Sequence, residues 1–584
     1  MAIDVTPEQQ RETGKENFAR TAEGLTRRGF MKSMVAGAAI VPVSAAVYFG
    51  YKSLEGKPVK AAIIGCGDEG GVLIGEHNPE FLRFVACCDI REYNLNRIFK
   101  GEPAPSPRKG FKFHYGNNAE KDIKKYTDYS EMLKDKDIEA VVIALPLHLH
   151  AKVAVDCMNA GKHVLCEKLM AWNISQCKQM IEVAKKTKKI LSIGHQRHYS
   201  LLYAHAHEVM QSGVLGDVHH IRALWHRNNS WPYEAKPTDK PLVAGTQPQL
   251  KDGWFPAIYQ EDLDGLEKQA KEKGVKLDAF LAQCGYDNLP QLVRWRLDNT
   301  TGGGLMAELG SHQLDASSIF LGKVHPLAVT GIGGKYFYRP GKNDRTSDDH
   351  VFVTFEFPGK DHPQGANKGK DKDDVVVVTY SSVNTNGFEA YGETVMGTRG
   401  TMMVEQESTL MLYAEKKPGG PAGSAAGMKV GVSGSGPSAP AIDSSSTWGP
   451  AAARPTGTST GPATVSKGYR EEMEDFAYCI RQWDENLGYA EKPKAEQTSK
   501  TDRYIQRLPR CQGEVAMADA IIALTSNRSM GTIDPKTQER YPTEKIAPKR
   551  IVFDEKWFEL TKEESDSGKY NVPDGDTKPK VPVE

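Results

Sequence analysis

The chain lacks an excess of charge of either sign, a cysteine framework and any internal repeat. Its 584 residues carry 75 basic and 75 acidic side chains, so no electrostatic footprint for nucleic acid is visible. The nine cysteines show no Cys-x-x-Cys spacing, which argues against a disulfide framework. A chain of this length exceeds what one hydrophobic core usually supports, so we expect two folded domains with appendages.

The N-terminal segment carries a pair of arginines before a mildly apolar stretch. Arg27 and Arg28 precede residues 34 to about 51, a pattern that resembles a twin-arginine export signal. The alternative is a basic flank of a membrane helix, although the stretch is marginal for the about 20 apolar residues that a span needs. We therefore predict that residues 1–56 are a signal or anchor with a linker. The protein is then exported, periplasmic or in the cell envelope, with the twin-arginine machinery as a partner and a membrane tether left open.

A glycine-rich turn follows the first apolar run of the chain. Residues 60–64 read as a strand, and they lead into Gly65-x-Gly67-x-x-Gly70. In a dinucleotide-binding turn the first glycine permits the tight turn, the second lets phosphate approach, and the third lets the next helix lie close to the strand. The helix N-terminus then faces the phosphates with unpaired N–H groups. The turn predicts a nicotinamide dinucleotide cofactor.

The end of the second apolar run bears on which nicotinamide cofactor binds. Residues 84–88 are followed by Asp89, nineteen residues after Gly70, where a dinucleotide fold places the carboxylate that bonds the ribose 2′-hydroxyl. Asp89 favours NAD. Arg91 can hold a 2′-phosphate, so NADP stays open.

The predicted pattern of strands and helices changes near residue 197, and this divides the chain into two domains. Short apolar strands alternate with helical patterns over residues 57–196, which predicts a parallel, doubly wound sheet. Longer alternating strands and helices over residues 197–560 predict an α/β domain with an open, largely antiparallel sheet, whose uncovered face makes a homo-oligomer plausible. Predicted strands of the second domain lie at 218–225, 328–336, 350–357, 375–381 and 393–404, and a helix at 305–321. We read 232–296 and 359–374 as insertions, 416–468 as a disordered insertion and 561–584 as a mobile polar tail.

Charged residues follow one of the predicted parallel strands and begin a later helix. Glu167 and Lys168 come directly after a strand at 163–166, at the sheet edge where open α/β sheets bind ligands. Further on, Gly302-Gly303-Gly304 leads into a helix with Glu308 and His312, which share one face because they are four residues apart. Asp315 lies close to the same face. A solvated Glu-Lys pair and a packing histidine are the plainer interpretations.

Four motifs in order resemble the glucose-fructose oxidoreductase / inositol dehydrogenase / MocA family. They are Gly65-x-Gly-x-x-Gly70, residues 144–150 with Pro146 and His150, residues 160–168 with Glu167 and Lys168, and residues 302–312. Residues 194–198, which include Arg197, support the resemblance.

The resemblance implies a Rossmann domain followed by an α/β domain, with NAD(P)-dependent chemistry at a secondary alcohol of a sugar, cyclitol or related polyol. It maps the proton-transferring and hydrogen-bonding roles at the reacting hydroxyl onto His312 and Lys168, with Glu308 beside them. Leu169 stands where the family usually has Pro, and Glu308 where it usually has Asp. The predicted cofactor contacts are Gly65, Gly67, Gly70, Asp89, Arg91, Pro146, His150, Glu167 and Lys168, and the substrate candidates are Arg197, Trp225 and Asp315.

Other functions remain compatible with the same fold. A redox-neutral enzyme of the glycoside-hydrolase or lyase type would hold its nucleotide tightly, and a catalytically silent protein would bind it without turnover. The cluster at residues 225–231, including Trp225 and Arg227, can form part of a sugar cleft or of a core. His148, His150, His163 and Cys166 match no closed zinc site, so we predict no metal.

Overall fold

The computed structural model describes residues 56–229, 250, 252, 254–339, 343, 345–415, 429–430, 442–443, 467–490, 506–531, 540, 548–574, 576 and 578–583. The predicted export segment, apart from residue 56, lies outside the described residues, as do residues 232–249 and nearly all of 416–468. Within the described ranges, no helix combines the length and the apolar character needed to cross a bilayer.

The first domain is built on a six-stranded sheet with all neighbouring strands parallel. Its strand order is β3-β2-β1-β4-β5-β6, with β1 at its centre. The inner strands are apolar along their length because helices cover both faces of a doubly wound sheet. The predicted parallel sheet is confirmed. The strands are β1 (Val59–Ile64), β2 (Leu82–Cys88), β3 (Lys124–Tyr126), β4 (Ala140–Ile143), β5 (His163–Glu167) and β6 (Leu191–Gly194).

Helices and short turns connect these strands. The helix Ile174–Thr187 begins at the side chain of Asn173, which accepts a hydrogen bond from the Gln176 N–H. The other helices before residue 200 are Asp68–Glu76, Glu92–Lys100, Phe111–Tyr115, Ala119–Asp122, Tyr129–Met132 and His150–Asn159, with 3₁₀ turns at Gly116–Asn118, Leu147–Leu149 and Gln196–Tyr199.

The second domain contains an eight-stranded sheet that is antiparallel except for one parallel pair, β7 and β10. The predicted open, largely antiparallel sheet is confirmed. Its strand order is β13-β12-β11-β7-β10-β9-β8, followed by the two-residue strand Ile551–Val552. The strands are β7 (Val218–His226), β8 (Ala328–Gly334), β9 (His350–Pro358), β10 (Val375–Val383), β11 (Tyr391–Gly397), β12 (Gly400–Glu405) and β13 (Thr409–Ala414).

One predicted strand is two strands. Residues 393–404 were expected to run straight, but β11 and β12 form an antiparallel hairpin. The turn is fixed because the N–H groups of Thr398 and Arg399 donate to the carbonyls of Asp217 and Leu215, at 2.9 and 2.8 Å. The two glycines that flank this turn, Gly397 and Gly400, were a signal in the sequence that the prediction passed over.

The predicted helix at 305–321 is also divided. Met306–Gly310 forms a π-helical turn, and a regular α-helix follows over Ser311–Phe320. A π turn widens the spacing between successive side chains and is common at functional sites. The remaining helices are Leu201–Gln211, Gln260–Glu272, Leu277–Gln283, Leu289–Val293, Asn299–Gly302, Tyr469–Gln482, Gly513–Ser529 and Lys562–Ser567, with 3₁₀ turns at Trp295–Leu297 and Glu555–Phe558.

Two late segments of the chain pack on the first domain. The helix Tyr469–Gln482, which falls in the second domain of the predicted division, buries Met473 and Phe476 in the core cluster that contains β1. The tail after residue 560 was predicted to be mobile, and this is wrong. The Asp576 carboxylate accepts hydrogen bonds from the N–H groups of Ile174 and Ser175, at the start of the helix Ile174–Thr187. These bonds satisfy helix N–H groups that otherwise lack a partner.

Candidate active site

A cavity of about 530 Å³ follows the C-terminal edge of the parallel sheet. Its wall includes the Gly65–Gly67 turn after β1, Asp89 after β2, and Pro146 after β4. Glu167 at the end of β5 and Lys168 directly after it also line it. One cavity therefore joins most of the positions at which the sequence predicted cofactor contacts.

The glycine turn has the geometry that a pyrophosphate requires. Gly65 has φ +95°, and a Cβ at that position would collide with the carbonyl oxygen of Ala144. At Gly70 a Cβ would collide with the carbonyl oxygen of Gly65, so this glycine permits close contact of helix and strand. At Gly67 the nearest atom to a Cβ would be Asn94 Nδ2, at 4.0 Å, so the space beside the backbone is open. These three environments match the three glycine roles in a dinucleotide turn.

The predicted ribose-binding carboxylate, Asp89, is held in place by the turn itself. Its oxygens accept hydrogen bonds from the backbone N–H of Cys66 and of Arg91, both at 2.8 Å, and from Asn94 Nδ2 at 3.0 Å. Burial raises the pKa of Asp89, against the opposing effect of these bonds. The carboxylate is thus fixed at the cavity wall.

Arg91, because of which the sequence left NADP open as the cofactor, forms an ion pair with another side chain. Its Nε and Nη2 donate to Asp262 Oδ2 at 3.0 and 2.7 Å, and the Asp262 side chain is fully buried. Asp262 also accepts from the backbone N–H of Tyr93. It belongs to the helix Gln260–Glu272, inside the insertion predicted at 232–296. The insertion therefore supplies part of the wall at the Asp89 end of the cavity.

The remaining predicted cofactor residues have distinct positions. His150 is buried, and its two ring nitrogens lie 2.8 Å from the carbonyl oxygens of Leu145 and Leu169. It therefore positions the backbone after Lys168 and is remote from solvent. Glu167 is buried as well, and burial raises the pKa of its carboxyl well above the ordinary value. His148 and His163, weighed in the sequence as metal ligands, contact the backbone of Gly285 and Ile190.

Lys168 and Glu308 meet at the far end of the cavity, across the domain boundary. The Lys168 Nζ donates to the carbonyl oxygen of Glu308 at 2.9 Å. The Glu308 carboxylate accepts from Arg296 Nε at 3.2 Å. All three residues line the cavity. The π-helical turn at Met306–Gly310 presents the Glu308 carbonyl to Lys168, which an uninterrupted helix would use internally.

His312 is adjacent to this group. Its side chain is 7% exposed, and its ring lies 5.2 Å from the Trp225 ring, measured between centroids. Burial, and after it the positive charge of Lys168, lowers the pKa of His312 well below its usual range. The Nδ1 atom of His312 has no hydrogen-bond partner in the described part of the chain. The imidazole is therefore held in its neutral form near an ammonium.

Two of the three substrate candidates lie beneath the site rather than in it. Arg197 is 1% exposed, and its guanidinium contacts Glu393, Glu407 and the carbonyl oxygen of His312, at 2.8, 2.9 and 2.6 Å. Asp315 is also 1% exposed. The predicted direct contact of these two residues with substrate is wrong, because their polar atoms face the protein interior.

Trp225, the third candidate, remains beside His312. It also stacks on Tyr391, with 4.5 Å between ring centroids. The sequence reasoning missed Asp262 and Arg296. No short motif marks either residue: Asp262 lies in a charged helix, and Arg296 in the turn before the glycine triplet.

Comparison with known protein families identifies both domains. Residues 59–195 match the model described as "Oxidoreductase family, NAD-binding Rossmann fold". Residues 276–403 match the model described as "GFO/IDH/MocA C-terminal domain". Each of these two stretches is thus similar to a domain of the Gfo/Idh/MocA oxidoreductases.

Individual relatives match shorter stretches of the chain. The chain is 38% identical over 96 residues to inositol 2-dehydrogenase of Salmonella paratyphi B, covering 16% of this chain and 29% of the relative. It is 25% identical over 179 residues to glycosyl hydrolase family 109 protein 1 of a Shewanella species, covering 30% and 36%. The matches thus span about a third of these curated relatives. An Azotobacter vinelandii inositol dehydrogenase homolog solved with NADH and myo-inositol aligns with TM-score 0.49 and 13% identity, covering 82% of this chain and 97% of that one.

Proposed function

We propose that the protein is an NAD-dependent oxidoreductase that transfers a hydride at a secondary alcohol of a sugar, cyclitol or related polyol. The proposal rests on one observation: the same cavity contains the Gly65 turn and the Lys168–Glu308 contact. The relatives named inositol 2-dehydrogenase support a polyol as the class of substrate.

The residues at the sheet edge fit a dinucleotide. The open backbone at Gly67 and the N-terminus of the helix Asp68–Glu76 would hold the pyrophosphate, and Asp89 the adenosine ribose. A bound nicotinamide supplies the acceptor or donor of the hydride. The Arg91–Asp262 ion pair supports NAD over NADP, since the guanidinium is already neutralised by a buried carboxylate.

The reacting alcohol would lie between Lys168 and His312. The Lys168 ammonium, held by the Glu308 carbonyl, can donate a hydrogen bond to the alcohol oxygen. The neutral imidazole of His312 can take the hydroxyl proton as the hydride leaves carbon, and return it in the reverse direction. The Glu308 carboxylate, fixed by Arg296, is placed to accept from a neighbouring hydroxyl.

A panel assay tests the proposal. Purified protein is supplied with NAD and, one at a time, with inositols, aldoses and sugar alcohols, and NADH is followed by absorbance at 340 nm with the product mass. NAD-dependent oxidation of a secondary alcohol is expected. Nucleotide binding without turnover on any alcohol would instead favour the catalytically silent alternative.

A redox-neutral reaction is the second candidate, favoured by the enclosure of the cavity. Tyr259 stacks on Tyr93 with 4.0 Å between ring centroids, and Lys273 bonds Asp128 at 2.8 Å. Val581 of the C-terminal segment also lines the cavity. A nucleotide so enclosed would exchange slowly and favour chemistry that returns the hydride to the same substrate. Glycoside turnover detected by mass without net NADH supports this candidate, whereas stoichiometric NADH excludes it.

We also propose export through the twin-arginine route and assembly as a homo-oligomer. The export proposal rests on Arg27 and Arg28, and replacing both by Lys in the full chain should retain the protein in the cytoplasm.

The assembly proposal rests on the exposed apolar side chains of the second sheet, among them Ile332 at 50% and Phe352 at 41% exposure. Light scattering tests it, and a monomer at micromolar concentration would contradict it.

A further inference from the structure

Arg227 lies beside the proposed reaction centre, directly after β7. Its backbone N–H donates to the carbonyl of Val383 at 2.8 Å, which fixes the start of its side chain. The guanidinium carbon lies 5.0 Å from the centroid of the Trp225 ring and 5.7 Å from that of Trp254. Trp225 also neighbours His312, with 5.2 Å between the ring centroids. A cation is therefore held against two indole rings, close to the proposed base.

The Arg227 side chain is half-buried, and its guanidinium forms no ion pair within the part of the chain that the structure describes, although the charge of Glu308 acts on it. Within the described ranges, its charged group makes the two ring contacts, with no ion pair or side-chain hydrogen bond. Burial, and after it the charge of Arg296, lowers the pKa of Arg227. Removing a charge from water without a partner is unfavourable, so such a group commonly awaits an anion.

Positive charge predominates throughout this end of the cavity. Arg296 and Lys168 line it, and Glu308 is bonded to Arg296. Of the other acids nearby, Glu69 and Glu167 are buried, and burial raises the pKa of each carboxyl, whereas the arginines around Asp68 lower its pKa against the effect of burial. The local field therefore favours an anionic group on whatever binds beside His312.

We propose that the substrate carries a carboxylate, as in a uronic or aldonic acid, and that Arg227 is the residue that binds it. The inference rests on the proposed function and narrows its substrate class. A carboxylate fits because the planar guanidinium presents two parallel N–H donors to its two oxygens. Within the described ranges no side chain or carbonyl accepts a hydrogen bond from these N–H donors, so they are available to a ligand.

Matched pairs of compounds test the proposal on the full, NAD-loaded protein. Glucuronate is compared with glucose, galacturonate with galactose, and gluconate with sorbitol. Turnover is measured by NADH absorbance and product mass, and binding by the shift in melting temperature. In at least one pair the acid should show a kcat/KM about 10- to 100-fold above its neutral partner, the range expected for a charge-assisted contact.

Variants assign that preference to one side chain. Arg227→Met should remove most of the preference for the acid while changing turnover of the neutral partner much less. Arg227→Lys should retain part of the preference because the positive charge remains. The rest should be lost, because an ammonium cannot present two parallel N–H donors to the carboxylate. Arg222→Met is the matched control: Arg222 lies on β7, the strand that Arg227 follows, and pairs with Glu389 at the surface, at 2.9 Å. It should leave the preference unchanged.

The outcomes separate this inference from the proposed function. Turnover of neutral alcohols equal to or above that of the acids overturns the carboxylate proposal and leaves the oxidoreductase intact. A preference for acids that survives Arg227→Met overturns the role of Arg227. If no compound is turned over, the oxidoreductase proposal fails. The shifts in melting temperature then decide whether the site prefers acids. In that case, acids that stabilise the protein no more than their neutral partners overturn the inference.

Discussion

Two groups of charged residues near His312 differ in how they are paired. One is a buried set of ion pairs, called here the lower network, and the other is Arg227 beside Trp225. Below the ring, Arg197 is bonded to Glu393 and Glu407, and Asp315 to His198 and Lys323. Above it, Arg227 contacts aromatic rings and has no carboxylate partner among the described residues. Two arginines near one histidine therefore have different tasks. Ion pairs to carboxylates fix the position of Arg197, whereas a guanidinium without an ion pair among the described residues can bind the anionic group of a ligand.

The lower network also supplies its own cation. His195, Asp315 and Asp519 bring potential metal-ligand atoms within 4.8 Å of one another. The Lys323 ammonium lies 2.6 Å from Asp315 Oδ1 and 3.0 Å from Asp519 Oδ1. Against the opposing effect of burial, these two carboxylates raise the pKa of Lys323. We therefore interpret the cluster as an internal ion network that a metal ion would have to displace.

Changes at the boundary between the two regions should have the largest effect. His312→Ala and Lys168→Ala should each lower kcat about 10²- to 10⁴-fold, since a positioned proton-transfer group contributes that much. NADH affinity, measured by fluorescence titration, should change little for His312→Ala. Full turnover in either variant would contradict the proposed roles.

Removing the internal cation should disrupt the lower region. Lys323→Met leaves Asp315 and Asp519 buried without an ammonium, so we expect a loss of about 3–5 kcal/mol in the free energy of unfolding. Urea unfolding followed by fluorescence measures it. Lys360→Met, which removes an exposed pair with Asp217, is the control and should have little effect. Equal midpoints for the two variants would show that the network is not stabilising.

Acid should weaken the protein through histidines that the fold keeps neutral. Burial lowers the pKa of His195 in the lower network to about 4, and that of His148 beside the cavity to about 4. The unfolded chain takes up these protons near pH 6.5, so the stabilisation is complete above that pH and is lost as the pH falls toward 4. Each group costs about 1.4 kcal/mol per pH unit in this window. Urea midpoints should therefore fall from pH 7 to pH 5, and His195→Gln should reduce the dependence.

Releasing Arg91 should have the smallest effect. Asp262→Asn keeps the shape of the side chain and removes the charge that neutralises Arg91, so NADP should gain about tenfold in affinity relative to NAD. Isothermal titration with both cofactors measures the ratio. Asp264→Asn, at an exposed position of the same helix, is the matched control. An unchanged ratio would show that another group excludes the 2′-phosphate.

The spacing of residues along the chain was enough to predict the glycines whose role depends on the backbone. Gly65, Gly67 and Gly70 were predictable because each role depends on a missing side chain at a fixed offset from a strand. Lys168 was placed correctly at the cavity because the carboxyl ends of parallel strands share one edge. The orientations of Arg197 and Asp315 could not be predicted, because motif membership does not tell which way a side chain faces.

The sequence by itself determined the parallel sheet, the glycine turn and the position of Lys168 at the cavity, since these follow from strand periodicity and chain order. Only the tertiary structure decided which charges are neutralised. Asp262 reaches Arg91 across 171 positions of the chain, and Arg197 reaches Glu393 across 196. Ion pairing depends on distances of a few ångströms, and these are set by packing between segments that sequence spacing does not relate.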